Sequence, residues 1–330
     1  MYDLIIIGSG PAGLSAALAA SHYGLNYLVI ERGVIANTIY HYPIARPLFS
    51  TANEIELCGG ALRPNAKPTR EEVLTHYANL ITQEGIQLHV GEEVRQVIPL
   101  AESFQVETNR NHYRARAVLV AVGGFGRPRR LYVPGESVER VSYRFSEAHP
   151  YATRPVLVVG GGNSAAEAAL FLAEANARVT LAIRRDSLHT PPSGSGALIK
   201  PWVLEPLERA ASENKITILT SASIEEIHSN SARLRITRDH TSEMIEVDCD
   251  HIFALLGADP DVGLLQQAGA EIAADGRPVY STDYETTVSG LFVAGHITRE
   301  MHMKNAIGVG RQVVERIVAR VFDERLIGRL

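Results

Sequence analysis

The chain has 330 residues, 45% of them hydrophobic and 21% charged, with a formal net charge of −5 at pH 7. That length gives room for roughly two domains with cores of their own, and the acid excess argues against nucleic acid or an anionic membrane as the main partner, since both require a basic face. No apolar run approaches the roughly 18 residues of a membrane span, and the strand pattern that starts at Tyr2 leads us to expect no removable signal segment and a cytoplasmic protein.

Leu4-Ile5-Ile6-Ile7 is a continuous apolar run, the pattern of a central parallel strand covered on both faces. Gly8-Ser9-Gly10-Pro11-Ala12-Gly13 follows at once. Leu14 to Tyr23 reads as a helix stopped by Gly24, and Tyr27 to Ile30 as a second strand ending in Glu31. Further on, Val118 to Val122 is a buried strand that closes in Gly123-Gly124, with Phe125 to Leu131 as a linker.

The opening unit then recurs. Val156 to Val159 is a strand, Gly160-Gly161-Gly162-Asn163-Ser164-Ala165 a glycine turn, Ala166 to Glu174 a helix, and Val179 to Ile183 a strand ending in Arg184-Arg185. Pro191 to Gly196 reads as a loop able to close over phosphates, and Trp202 as a packing anchor at a helix start. Val247 to Gly257 reads as the return crossing. Leu291 to Ala294 is a last strand, followed by Gly295-His296, and a final helix from about Asn305 carries Val309, Val313, Val314 and Ile317 on one face.

Two strand–turn–helix–strand units predict an α/β fold of two Rossmann-like, three-layer dinucleotide-binding domains, the second inserted in the first. The expected boundaries are 1–128 and 249–330 for one domain and 129–248 for the other.

The glycines of such a turn serve separate ends, namely a tight turn, close backbone approach to a pyrophosphate, and close packing of helix on strand. The helix N-terminus adds free amides and a positive dipole end. What distinguishes the two copies is the residue at the end of the second strand. Glu31, eighteen residues past Gly13, suits free ribose hydroxyls. Arg184-Arg185 begin nineteen residues past Ala165, where a guanidinium can grip a 2′-phosphate that a carboxylate would repel. The first copy is therefore expected to hold FAD and the second NADPH, and a chain with both brings a hydride donor to a flavin acceptor.

These residues resemble the low-molecular-weight branch of pyridine-nucleotide disulfide oxidoreductases, the thioredoxin reductase-like flavoproteins. The likeness lies in the Gly8–Gly13 and Gly160–Ala165 turns, Ala121-Val122-Gly123-Gly124, and Gly290-Leu291-Phe292-Val293-Ala294-Gly295. Within the branch, Asn37 to Pro43, Phe49-Ser50-Thr51, Glu147 to Tyr151 and Ile199 to Val203 are similar to the bacilliredoxin (bacillithiol-disulfide) reductase family. The resemblance implies flavin contacts at Arg32, Asn37, Thr38, Ala121, Gly123, Gly124, Gly295 and position 296, and at the helix start Lys304-Asn305-Ala306. It also implies a homodimer and a low-molecular-weight or protein disulfide as electron acceptor.

Three departures stand out. The branch carries an acid where this chain has His296, thioredoxin reductases carry a CxxC where Ser137 to Arg154 has no cysteine, and bacilliredoxin reductases often carry a cysteine where this chain has Ala12. The two cysteines, Cys58 and Cys249, are too far apart in sequence for an exchange motif; Cys249 reads as a buried residue on the inward side with Val247. No residue is singled out as catalytic, and no metal-ligand spacing is present. Two alternatives stand beside the disulfide reductase: a reductase of ferredoxin, quinone or free flavin, and a flavin-holding redox sensor without turnover.

Overall fold

A computed structural model describes residues 1–137, 139–190, 198–238, 241–300 and 302–327, with side chains through 319. The loop Pro191 to Gly196 lies outside the described residues. The chain divides into two compact units, Met1–Arg127 with Asp259–Leu330, and Pro128–Ala258.

The first unit opens with strand β1 (Tyr2–Ile7), helix α1 (Pro11–His22) and strand β2 (Tyr27–Glu31). Helix α2 (Arg70–Gln83) follows, begun by a capping box in which Thr69 and Glu72 satisfy each other's backbone amides. It leads to β3 (Leu88–Val90), β4 (Val94–Pro99), β5 (Phe104–Thr108) and the long β6 (His112–Val120).

The second unit contains β7 (Val141–Ser142), β8 (Pro155–Val159), α3 (Asn163–Glu174), β9 (Arg178–Ala182), α4 (Pro201–Ser212) and β10 (Ile216–Leu219). An antiparallel trio comes next, β11 (Ala222–Ile227), β12 (Ser231–Arg238) and β13 (Thr241–Asp248), then β14 (His251–Ala254). The first unit is completed by β15 (Leu291–Val293) and α5 (Met303–Ile327).

In the first sheet the order is β3-β2-β1-β6-β5-β4, with β15 beside the end of β6. β1, β2, β3, β6 and β15 are parallel neighbours, and β4, β5 and β6 form an antiparallel extension. The alternation of β1 decides what covers each face. Leu4 and Ile6 join α1, α2 and α5 in one core, whereas Ile5 and Ile7 face Val97, Phe104, Val106 and Leu265 in another. Burial on both sides is why the strand reads as an unbroken apolar run.

The second sheet, β10-β9-β8-β14-β7, is parallel throughout. Leu157 and Val159 on one face pack with Ala222, Ala232 and Leu234 of the antiparallel trio. This sheet also corrects a boundary. The return crossing was expected at 248/249, but His251 to Ala254 pair in register with Val156 to Val159, and the chain stays in the second unit through Ala258. An apolar run marks a buried strand without saying which of two parallel sheets receives it. Trp202 also differs from expectation: it is 49% exposed, with the Lys200 ammonium 5.9 Å from its ring centroid.

Candidate functional site

The C-terminal ends of β1, β6 and β15 bring three separately encoded turns together. Gly8 leaves β1 with φ of +107°, and a Cβ there would meet the Ala121 carbonyl oxygen at 2.6 Å, so only glycine lets β1 turn beside β6. Gly13 packs so closely on the Gly8 carbonyl that any side chain would overlap it. Gly10 is different. Its backbone is extended, a Cβ there would meet nothing within 4 Å, and it is the N-cap of α1, which no side chain caps. The uncapped amides and the positive dipole end of α1 form a cradle that a diphosphate fits.

Beside this turn lies Glu31, buried at the end of β2. Its Oε2 accepts the Ser9 amide at 2.9 Å and the Ser9 hydroxyl at 3.1 Å, and Oε1 accepts the Gly33 amide at 2.9 Å. Oε1, with a single donor, retains a lone pair for a ribose hydroxyl. Asn37 opens a short helix, Asn37–Tyr40, with its side chain against Gly33, and the Ala36 amide donates to the Ser9 carbonyl at 3.1 Å. Arg32 and Thr38 are exposed on the same segment.

From the other strands, Gly123 has φ of +78°, and a Cβ on Gly124 would stand 2.7 Å from the His296 carbonyl oxygen. Ala12 is buried where α1 crosses α5, a crossing so close that Gly310 has no room for a side chain against the Ala12 carbonyl. A Cβ on Gly295 would stand 2.9 Å from that of Ala12 and 3.7 Å from that of Ala306. The start of α5 is pinned to α1 by the Ser15 hydroxyl, which donates to the Ile307 carbonyl at 2.8 Å. Thus Ala12, Gly295 and Ala306 meet, whereas Lys304 and Asn305 turn outward. Lys304 lies 3.7 Å from Glu54, and Asn305, already inside the helix and not its cap, donates to Glu300 at 2.9 Å.

His296 stands edge-on to Phe125, ring centroids 5.0 Å apart. Burial, then the charges of Arg277 and His302, lower its pKa to about 4, so it is neutral at pH 7. Phe125 and Arg277 are contacts that sequence reasoning did not select. Phe125 stood in an apparent linker, and Arg277 lies in a stretch without helical or strand periodicity.

The second turn repeats the first. Gly160 has φ of +145°, and a Cβ there would overlap the Leu255 carbonyl oxygen, as one on Gly8 would the Ala121 oxygen. Gly162 is extended, open on its Cβ side, and the N-cap of α3, again without a capping side chain. Ala165 stands in the helix where the first copy has Gly13, and Ser164 is exposed. Asn163 accepts the Lys200 amide at 2.8 Å through Oδ1, tying the turn to the start of α4. The two arginines part ways. Arg185 donates to the carbonyls of Gly161 and Thr190 and rests on Gly161, while Arg184 is exposed.

The cysteines lie in different units and are both free thiols. Cys249 is fully buried, and burial pushes its pKa up to about 11. Cys58 is half-buried, its pKa raised by burial and then by Glu84 and Glu56. Raised thiol pKa values are the opposite of what a reactive cysteine needs. Among the described residues no cluster of His, Cys, Asp or Glu is arranged to hold a metal, and no helix is long and apolar enough to cross a membrane.

A family model described as pyridine nucleotide-disulphide oxidoreductase matches residues 5–295. The chain is 34% identical over 325 residues to bacilliredoxin reductase Bdr of Bacillus subtilis (strain 168), spanning 96% of this chain and 97% of that protein. It is 28% identical over 309 residues to a ferredoxin–NADP reductase of Ignicoccus hospitalis, 90% of each chain. The solved structure of bacillithiol disulfide reductase Bdr from Bacillus cereus superposes with a TM-score of 0.89 at 33% identity, covering 97% of this chain and 99% of that one. The chain belongs to the pyridine nucleotide-disulphide oxidoreductase family and is an oxidoreductase whose cofactors are FAD and NADPH.

Proposed function

We propose that this chain takes a hydride from NADPH onto FAD and delivers the electron pair to an external disulfide, with FAD on the first glycine turn and NADPH on the second. One observation carries the assignment of the two turns: they share their backbone geometry but end in opposite charges, Glu31 in one and Arg184 in the other. Bound FAD supplies the chemistry, accepting two electrons as hydride and releasing them to an acceptor. The chain supplies position and charge. Amides of α1 past Gly10 hold the diphosphate, Glu31 takes ribose hydroxyls, and Gly124, Gly295, neutral His296 and Ala306 form the wall at the sheet's C-terminal edge. Past Gly162, the amides of α3 hold the second diphosphate, with Arg184 at the 2′-phosphate.

Neither thiol is suited to relay electrons, so the acceptor itself approaches the flavin. A disulfide acceptor follows from the similarity to bacilliredoxin and bacillithiol disulfide reductases. A second reading, reduction of a ferredoxin or another thiol-free acceptor, is favoured by the same raised thiol pKa values and the absence of a CxxC. One acceptor screen decides: NADPH oxidation by purified protein, with disulfides, ferredoxin, quinone and free flavin offered separately. Turnover with a disulfide alone supports the first reading, turnover with ferredoxin or quinone alone supports the second, and none with any acceptor sinks both in favour of a sensor. We further propose a cytoplasmic homodimer, on the family resemblance, to be checked by light scattering of the purified protein.

A further inference from the structure

Opposite the turn that carries His296, one cation is engaged in an unusual way. The guanidinium of Arg277 donates through Nη1 to the carbonyl of His296 at 2.8 Å and also to the carbonyl of Thr298. One carbonyl lies within the short 3₁₀ turn Gly295–Ile297 and the other just past its end, and the chain enters that turn through a positive φ at Gly295. The Thr298 hydroxyl closes the same turn onto the Gly295 carbonyl at 2.7 Å. Arg277 itself is braced from behind. Its amide donates to Asp275 Oδ1 at 3.1 Å, and Asp275 pairs through its other oxygen with Arg299 at 2.9 Å. The side chain of Asp275 thus pairs with Arg299, while Arg277 spends Nη1 on two neutral carbonyls of the turn.

We propose that Arg277 is a positioning residue for the flavin: it fixes the 295–298 turn against Gly124 and supplies a fixed positive charge beside His296, the position at which the resembled branch carries an acid. The inference rests on the proposed placement of FAD at this edge of the sheet. Two features support it. A cation with a neutral histidine, in place of an acid, stabilises negative charge developing nearby, as on reduced flavin. In addition, a rigid planar guanidinium, whose Nη1 carries its two N–H groups in fixed directions, holds two carbonyls with less freedom than a flexible ammonium can.

The test uses full-length protein, Arg277→Met and Arg277→Lys, with circular dichroism to check the fold, FAD affinity by fluorescence, and the flavin midpoint potential by dye equilibration. Removing the charge in Arg277→Met should weaken FAD binding about tenfold. It should disfavour reduced over oxidised flavin by a similar factor, about 30 mV lower for a two-electron couple. Arg277→Lys restores the charge without the planar guanidinium, so the potential should return while FAD affinity stays reduced. A folded Arg277→Met with unaltered affinity and potential overturns the proposal. Should that variant fail to fold, Arg277→Lys decides, because wild-type affinity in it removes the role of the planar guanidinium. Unmodified protein that binds no FAD would instead refute the placement on which the inference stands.

Discussion

Gly10 offers the sharpest separation of nucleotide binding from folding, and Gly10→Val is the perturbation to make. The backbone there is extended (φ −75°, ψ −178°), which any residue adopts, and a Cβ would meet nothing within 4 Å. Valine is a poorer N-cap than glycine, which costs about 1 kcal/mol, while losing a glycine restricts the unfolded chain and returns about 0.4–1 kcal/mol. The apoprotein should therefore change by about 1 kcal/mol or less, a shift of only a few degrees in its melting temperature. The holoprotein faces a different balance. The branched side chain fills the space through which the diphosphate reaches the amides of α1. Loss of two charge-assisted hydrogen bonds, about 1.5–3 kcal/mol each, weakens FAD binding roughly a hundredfold to ten-thousandfold. The assay compares visible absorbance of purified protein with melting of apoprotein, with and without added FAD. Gly13→Val is the control, since any side chain there overlaps the Gly8 carbonyl and the variant should fail to fold. Gly10→Val protein that purifies with a full complement of FAD, or apoprotein that melts far below the parent, would refute the reasoning.

Other tests follow from the same geometry. Arg184→Ala should weaken NADPH binding by about 1.5–3 kcal/mol, leave NADH use nearly unaltered and spare stability. Arg185→Ala should lower the melting temperature as well, because that side chain holds the Gly161 and Thr190 carbonyls; equal affinity for both nucleotides in the parent would contradict the assignment. Anaerobic titration with dithionite should consume one flavin's worth of electrons per chain, and Cys58→Ser with Cys249→Ala should keep NADPH-dependent flavin reduction; a second electron pair that vanishes in the variant would show a hidden thiol relay. His296, with pKa about 4 when folded against 6.5 otherwise, contributes about 3 kcal/mol of apoprotein stability that is full above pH 6.5 and lost as pH falls towards 4. Melting of His296→Gln apoprotein should accordingly show a shallower acid slope than the parent, and parallel slopes would count against this.

The parts legible in the sequence are those fixed by backbone sterics and two-sided burial. The strand runs at Leu4, Val118, Val156 and Leu291 announce themselves because both faces are covered, and the glycine turns because carbonyls of neighbouring strands crowd Gly8 and Gly160. Lost to the sequence was whatever depends on which partner an element meets. The strand His251–Ala254 joins the second sheet through pairing with β8, a choice that composition does not encode. Asn305 resembles a helix cap by type, yet α5 begins two residues earlier. Arg277 could not be selected at all, since its role depends on carbonyls nineteen and twenty-one residues away, and a carbonyl leaves no mark in residue type.

On the proposed assignment, the repeated turns also locate nucleotide choice. A cradle that fits a diphosphate is built twice by the same means, a glycine that turns beside a neighbouring strand and an uncapped helix behind an open glycine. That machinery is indifferent to which dinucleotide it holds, because amides recognise phosphate alone. Discrimination must therefore come from the end of the second strand of each copy, and there the two differ in burial as well as charge. Glu31 is buried and already held by three donors, so its geometry is fixed before any ligand arrives. Arg184 is exposed at the strand end, so a 2′-phosphate must order it on binding. Ordering a long side chain costs on the order of 1 kcal/mol, and salt screens an exposed charge more than a buried one. It follows that raising ionic strength should erode the preference for NADPH over NADH while leaving FAD occupancy intact. Equal loss of both with salt would mean that the two sites are not set apart by pre-organisation.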